Sequence, residues 1–370
     1  MRNLRLLLTT IALACYLIGT AWAHHSRGNF DLENTVELQG TITEFTWRNP
    51  HVFATLAIDN EEGVAEEWLL ELNSISVLTR TGWDRDTLNV GDKVTVVGNL
   101  EKEHISNFLF SNYFVLPDAS RMVSAPNYSR GIPIARPPAR EIDTNVRSKN
   151  FSGIWRQQGI APFFGGMGGM GGMGGMGMGM GVEPAVSLGN QTPARGLPLT
   201  ALGQAELAAF DTRDNPWFRC EARGLPGVFS GTQEIAWQND QKIIIRYELL
   251  DIQRTVHLDI TEHPTQVARS RFGHSIGWFE DETLVIDTAL FEPVEWGIGA
   301  GVPSSEEKHV VERYSLVHDG NGLQLDLMFK DPVYMTEPVE LASTFFLDTG
   351  YQWQEYDCDP NASSRHLDIE

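Results

Sequence analysis

Residues 36–58, VELQGTITEFTWRNPHVFATLAI, constrain the fold more than any other stretch. Val36, Leu38, Gly40 and Ile42 hold even positions, whereas Phe45 and Trp47 hold odd ones. The alternation of a half-buried strand therefore slips once after Ile42, which predicts a β-bulge in a bent first strand. Asn49-Pro50-His51 reads as a sharp corner and 51–59 as a second strand. A bent first strand is what a small closed barrel requires.

The next residues extend this reading. Asn60-Glu61-Glu62-Gly63 is a hairpin turn, and 67–72 is a third strand. A short helix at 74–81 takes Asn73 or Ser74 as its N-cap and Gly82 as a left-handed residue past its end. Strands at 93–97 and 108–116 follow. Three strands, a helix and two strands is the order of a five-stranded OB-fold barrel, whose helix plugs one end. Phe45, Trp47, Phe53, Trp68 and Trp83 read as core and rim packing in this domain, 24–117, not as a base-stacking platform.

A chain of 370 residues with 42% hydrophobic content holds more than one domain. Before any of it folds, 1–23 is set aside. Arg2 and Arg5 precede an apolar run at 6–18 that ends at Ala21-Trp22-Ala23, the pattern of a cleaved secretory signal. The run is too short for a stable membrane span, so the mature chain is expected in the periplasm or secreted. Cleavage removes two positive charges and takes the formal net charge from −21 to −23. Such a surface repels phosphate backbones, and no run of Lys and Arg offsets it, so nucleic acid is excluded as a partner. Outside the signal only Cys220 and Cys358 remain, and in an exported chain they predict a disulfide.

Past the first domain, 118–150 is a Pro-rich linker, and 151–360 reads as a second, mostly β domain followed by a tail at 361–370. Gly/Met low complexity at 165–181 interrupts it early and cannot pack a core. One helix is expected at 199–212, capped by Thr200. Strands are expected at 234–238, 242–249, 255–260, 273–279, 283–287, 310–317, 323–329, 339–346 and 352–356. Short turns between them predict an all-β, antiparallel up-and-down barrel or a strongly curved sheet.

Two resemblances accompany these readings. Ala23-His24-His25-Ser26, the run Gly40-Thr41-Ile42-Thr43-Glu44-Phe45-Thr46-Trp47-Arg48-Asn49-Pro50-His51, Gly82-Trp83 and Gly91-Asp92-Lys93-Val94 together resemble a family of exported bacterial proteins of unknown function, over about residues 23–100. That family commonly has an aromatic residue where this chain has Arg27-Gly28. Gly273-His274-Ser275-Ile276-Gly277-Trp278, the run 281–288, Val311-Glu312-Arg313-Tyr314 and Glu355-Tyr356-Asp357-Cys358 resemble a second exported bacterial family without assigned activity, over about 150–358. Here Asp281-Glu282 replaces a usual glycine. The resemblances imply export and β-rich folds, and they bring no activity.

The chemistry centres on the mature N-terminus. Cleavage after Ala23 gives His24 a free amine beside its imidazole, and His25 or His51 completes a nitrogen set suited to Cu(II). Met167, Met170, Met173, Met176, Met178 and Met180 space soft thioethers two or three residues apart, which suits Cu(I) and resembles the methionine-rich segments of bacterial copper-handling proteins. A floppy repeat without function is the other reading of that run. Copper at both places describes a carrier or chaperone and not a catalyst.

In the second domain His274, Asp287, Arg254, Glu312 and Arg313 are candidates for the pocket of a binder or enzyme, its ligand a small hydrophobic molecule. A satisfied ion-pair network is the alternative. Gly273-His274-Ser275-Ile276-Gly277 has the letters of GxSxG but lies along an expected strand and not at a strand-to-helix elbow, GxGxxG letters occur only inside the Gly/Met run and not after a strand, and no HExxH or Walker motif is present. A purely structural envelope module stands as a third reading.

Overall fold

The slip in the first strand is a bulge in the computed structural model, which describes residues 30–59, 63–102, 106–125, 150–157, 188, 193–229 and 231–364. Strand β1 (Val36–Thr46) pairs antiparallel with β2 (Phe53–Asp59), and the register jumps between Ile42 and Glu44. β2 pairs with β3 (Ala65–Glu71), β1 with β4 (Lys93–Leu100), and β4 with β5 (Phe108–Val115). A parallel contact between β3 and β5 closes the ring into the expected five-stranded barrel. Its interior is apolar, with Ile42, Leu56, Leu70, Val96, Leu109 and Phe114 fully buried.

Between β3 and β4 lie the helix Ile75–Leu78 and the 3-10 turn Thr79–Thr81. Gly82 ends them at φ 89°, in the left-handed region where a side chain would be strained. Ser74 is the N-cap residue but makes no side-chain capping bond. The Ile75 amide donates instead to Asn49 Oδ1 at 3.3 Å, which ties the helix to the Asn-Pro corner. A short sixth strand, β6 (Arg121–Val123), adds to β5 beyond residue 117, and the Trp83 indole donates to the Val123 carbonyl at 2.8 Å. Outside the barrel, Phe30, Phe53, Phe108 and Phe110 form a second buried cluster covered by Ala125 and Ala362.

The second domain is a closed barrel of nine strands. In ring order these are β7 (Gly153–Gln157), β8 (Thr232–Asn239), β9 (Lys242–Tyr247), β10 (Ile252–His257), β11 (His274–Glu280), β12 (Thr283–Ala289), β15 (His309–Val317), β16 (Gly322–Lys330) and β17 (Val339–Leu347). A hairpin of β13 (Val294–Gly299) and β14 (Val302–Ser304) is inserted between β12 and β15. An odd number of strands cannot alternate direction all the way round a ring, so one neighbouring pair must run parallel. That seam lies between β10 and β11, and residues 258–273 carry the chain back across it.

The helix is shorter than expected, Ala201–Ala208, with Thr200 Oγ1 accepting from the Gly203 amide at 3.1 Å. Residues 352–356 are a correction, since they form no strand. Their partners are side chains: the Tyr356 amide donates to Asp251 Oδ2 at 2.8 Å, and the Arg246 guanidinium lies 4.5 Å from the Trp353 ring centre. With no sheet edge beside them, they run as a strap toward the small barrel.

There the strap grips the Asn-Pro corner. The Asn49 amide donates to the Asp357 carbonyl at 2.7 Å, and the Asp359 amide donates to the Asn49 carbonyl at 2.9 Å. Between them Cys358 is bonded to Cys220, with Cα atoms 6.0 Å apart and 138 residues of separation. The expected disulfide thus anchors the strap that joins the two barrels, and closing so long a loop is worth about 5 kcal/mol in the chain-entropy account. The signal segment, His24, His25, linker residues 126–149 and the Gly/Met run at 165–181 lie outside the described residues.

Candidate functional site

His51 stands where the corner enters β2, a quarter exposed. Its Nδ1 lies 2.9 Å from Glu71 Oε1 and 3.1 Å from the Leu72 carbonyl, both acceptors, so Nδ1 carries the proton and the ring's lone pair is on Nε2. Glu71 is buried at the end of β3, and its fixed carboxylate orients the ring. Beside this corner a cleft of about 580 Å³ opens between the small barrel and the strap, with Trp47, Arg48 and Arg85 facing Asp357 and Asp359.

A larger group of imidazoles sits on the outer wall of the nine-stranded barrel. Along β10, β11, β12 and β15 the inward residues Val256, Ser275, Thr288 and Val310 are buried, so His257, His274, Asp287 and His309 face outward by the two-residue period of a strand. His263 arrives from the crossover at the parallel seam. Its Nε2 lies 2.7 Å from Asp287 Oδ1, while His309 Nε2 lies 2.7 Å from Asp287 Oδ2. His263 Nδ1 faces His274 Nδ1 at 3.0 Å, and His257 stacks on His274 with ring centres 5.0 Å apart. Burial pushes the Asp287 carboxyl up, but the hydrogen bonds from His309 and His263 outweigh it and hold the group below its ordinary range. His274 is held below the usual histidine value by burial, then by its two histidine neighbours.

On the inner face of the same strands is a different network. Arg254 pairs with Glu312 through both guanidinium nitrogens, the Nη1 to Oε1 contact being 2.8 Å, and both residues are buried. Tyr314 donates to Glu312 at 2.9 Å, Arg254 Nε donates to the Tyr247 hydroxyl at 3.0 Å, and Nη1 reaches Ser275 at 3.2 Å. Burial alone would lower the Arg254 pKa, but the Glu312 charge outweighs it and holds the guanidinium ionised. Nearby Gln233, on β8 and only 2% exposed, has neither amide atom hydrogen-bonded. Lys308 is buried too, its Nζ donating to the Leu225 carbonyl and Ser304 Oγ at 3.0 Å each, and burial lowers its pKa to about 7.

The five residues expected to share a pocket therefore do not. Arg254 and Glu312 point inward, His274 and Asp287 outward, and Arg313 pairs on the surface with Glu280 at 2.5 Å. Adjacent residues on a strand face opposite sides of the sheet, so Glu312 and Arg313 cannot meet in one cavity. Sequence reasoning missed His257, His263, His309, Gln233 and Lys308. The alternation in 309–314 marks His309 as outward, but no local signal places His263 beside Asp287.

No curated protein matches the chain. Two solved structures are similar to it, a mutant of the fluorescent protein UnaG at 13% identity over 54% of this chain and 96% of that one, with a TM-score of 0.25, and a DUF3598-family protein of unknown function from Nostoc punctiforme at 10% identity over 86% and 97%, with a TM-score of 0.20. Superpositions this loose carry no argument. Residues 12–107, which span most of the small barrel, match a family of unknown function, DUF6152.

Proposed function

We propose that this is an exported metal-binding protein that carries copper at the rim of its small barrel. The ligands would be His51 and the amine and imidazole of His24, with His25 beside them. What supports the reading is the setting of His51. A metal-binding histidine characteristically donates its other ring N–H to a carboxylate or carbonyl, which fixes the tautomer and raises the basicity of the ligating nitrogen. The Glu71 and Leu72 contacts do that for His51. The residue types also fit, since imidazole and amine nitrogens suit Cu(II), and the thioethers of 165–181 suit Cu(I). Bound copper would supply a one-electron couple; Glu71 holds His51 in place, and Asn49 fixes the corner to the strap.

The test is calorimetric titration with Cu(II), and with Cu(I) under reducing conditions, of protein exported and cleaved in cells. His24→Ala and His51→Ala should each lose one equivalent of tightly bound Cu(II), and deletion of 165–181 should lose Cu(I) binding. An unchanged Cu(II) stoichiometry in His51→Ala would refute the site.

Gln233 favours a second reading, a small hydrophobic molecule bound inside the nine-stranded barrel. A buried amide left without hydrogen bonds costs about 1–3 kcal/mol, so a ligand or water bearing a donor beside an acceptor suits it. Native mass spectrometry of the exported protein, with organic extraction, would detect a bound molecule, and Gln233→Leu should abolish its retention.

A further inference from the structure

We infer that the outer wall of the nine-stranded barrel carries a separate transition-metal site, in which His263 and His274 are ligands, His257 is the third imidazole, and Asp287 positions His263. The site takes a borderline divalent first-row ion such as Zn(II). It shares no residue with the copper site proposed at His51.

The Asp287 carboxylate receives Nε2 of His263 on one oxygen and Nε2 of His309 on the other, each at 2.7 Å. A carboxylate only accepts, so Nε2 of His263 carries the proton, and in the neutral ring Nδ1 carries the lone pair. Nδ1 of His274 lies 3.0 Å from it. A proton between the two nitrogens makes one hydrogen bond. A metal ion between them makes two coordinate bonds of about 2.0–2.1 Å, and cis ligands at that length stand about 3 Å apart.

The surroundings also follow the pattern of a built site. Asp287 holds the ligand His263 from behind, the carboxylate–histidine–metal arrangement that sets ring orientation, and His309 in turn holds Asp287. The side chains of His263, Asp287 and His309 are 18–26% exposed, so an ion reaches them from solvent. Among the described residues no three donors already surround one point. His257, whose ring lies parallel to His274 at 5.0 Å between centres and whose Nδ1 lies 3.8 Å from Asp259, would supply the third donor by side-chain rotation away from that carboxylate. Water completes the shell. An all-imidazole set suits Zn(II), Cu(II) and Ni(II) and disfavours Mg(II) and Ca(II), which take oxygen.

The experiment uses the full exported protein carrying His51→Ala, so that the rim site is absent. Equilibrium dialysis against Zn(II) measures stoichiometry, and Co(II) absorption reports nitrogen coordination. One bound equivalent with ligand-field bands is expected. Adding His274→Ala or His263→Gln should abolish both, and Asp287→Asn, which leaves every proposed ligand, should weaken binding about 10–100-fold. Should the alanine variant misfold by circular dichroism, His274→Gln and Asp287→Asn carry the same test. Absence of Zn(II) binding in the His51→Ala protein, or unchanged binding in folded His274 and His263 variants, overturns the site. Loss of Cu(II) at His51 with Zn(II) retained on the barrel separates failure of one site from failure of the other.

Discussion

The inner and outer faces of the barrel wall around strands β10, β11, β12 and β15 carry two different polar groups. Inside, Arg254, Glu312, Tyr247 and Tyr314 are removed from water and bond chiefly to one another. Outside, His274, His263, Asp287 and His309 are half-buried, and they bond to one another through imidazole nitrogens and a carboxylate. The difference teaches that burial decides the role. A closed ion pair inside a barrel specifies packing, whereas a solvent-reachable set of imidazoles is available for chemistry.

The contrast breaks most sharply at Glu312. Glu312→Ala leaves the Arg254 charge buried without its partner, and chemical denaturation should report a loss of about 3–5 kcal/mol. Replacing both residues by apolar ones of similar volume should restore most of it. If the single substitution is neutral, the pair is not the closed network described.

A second measure of the interior is pH. Lys308 is protonated in the unfolded chain up to about 10.5, but in the folded chain burial lowers its pKa to about 7. Between those values the unfolded chain binds more protons, so stability rises with pH. The deficit is complete below pH 7 and vanishes above the ordinary lysine value. From pH 7 to 9 the unfolding free energy should gain about 2 kcal/mol from this group, and the gain should be missing in Lys308→Met.

Gln233→Leu sharpens the comparison from within the barrel. Protein stripped of bound molecules should be stabilised by about 1–2 kcal/mol, because two unpaired polar atoms leave the core. A loss of stability in thermal unfolding would mean that the amide is satisfied. On the outer face effects should be smallest: His274→Ala, at a solvent-reachable position, should change metal-free stability by less than about 1 kcal/mol. A larger loss would make the histidine cluster a structural network like the one behind it.

Much of the fold was legible locally. The slip after Ile42 marked the bulge, Thr200 marked a helix start, Gly82 marked a helix end, and the two cysteines past residue 23 marked the disulfide. The candidate site was legible only in part. His274 and Asp287 stood out as residue types, yet they were grouped with Arg254 and Glu312 because spacing along a strand does not show which face closes inward. The failed strand at 352–356 has a related cause, since alternation marks a segment as extended without showing whether a sheet edge lies beside it.

What the sequence by itself determined are the features set by a few neighbouring residues: strand period, turn and cap chemistry, net charge, and the order of elements in the small barrel. The tertiary structure alone decided the rest. Nine strands forced a parallel seam, the seam forced a crossover at 258–273, and the crossover brought His263 to Asp287. The strap likewise reached the Asn49 corner only once both barrels existed. Ring closure and strap docking depend on contacts between residues far apart in the chain, whose energies add up only in the assembled fold, so no local pattern carries their signature.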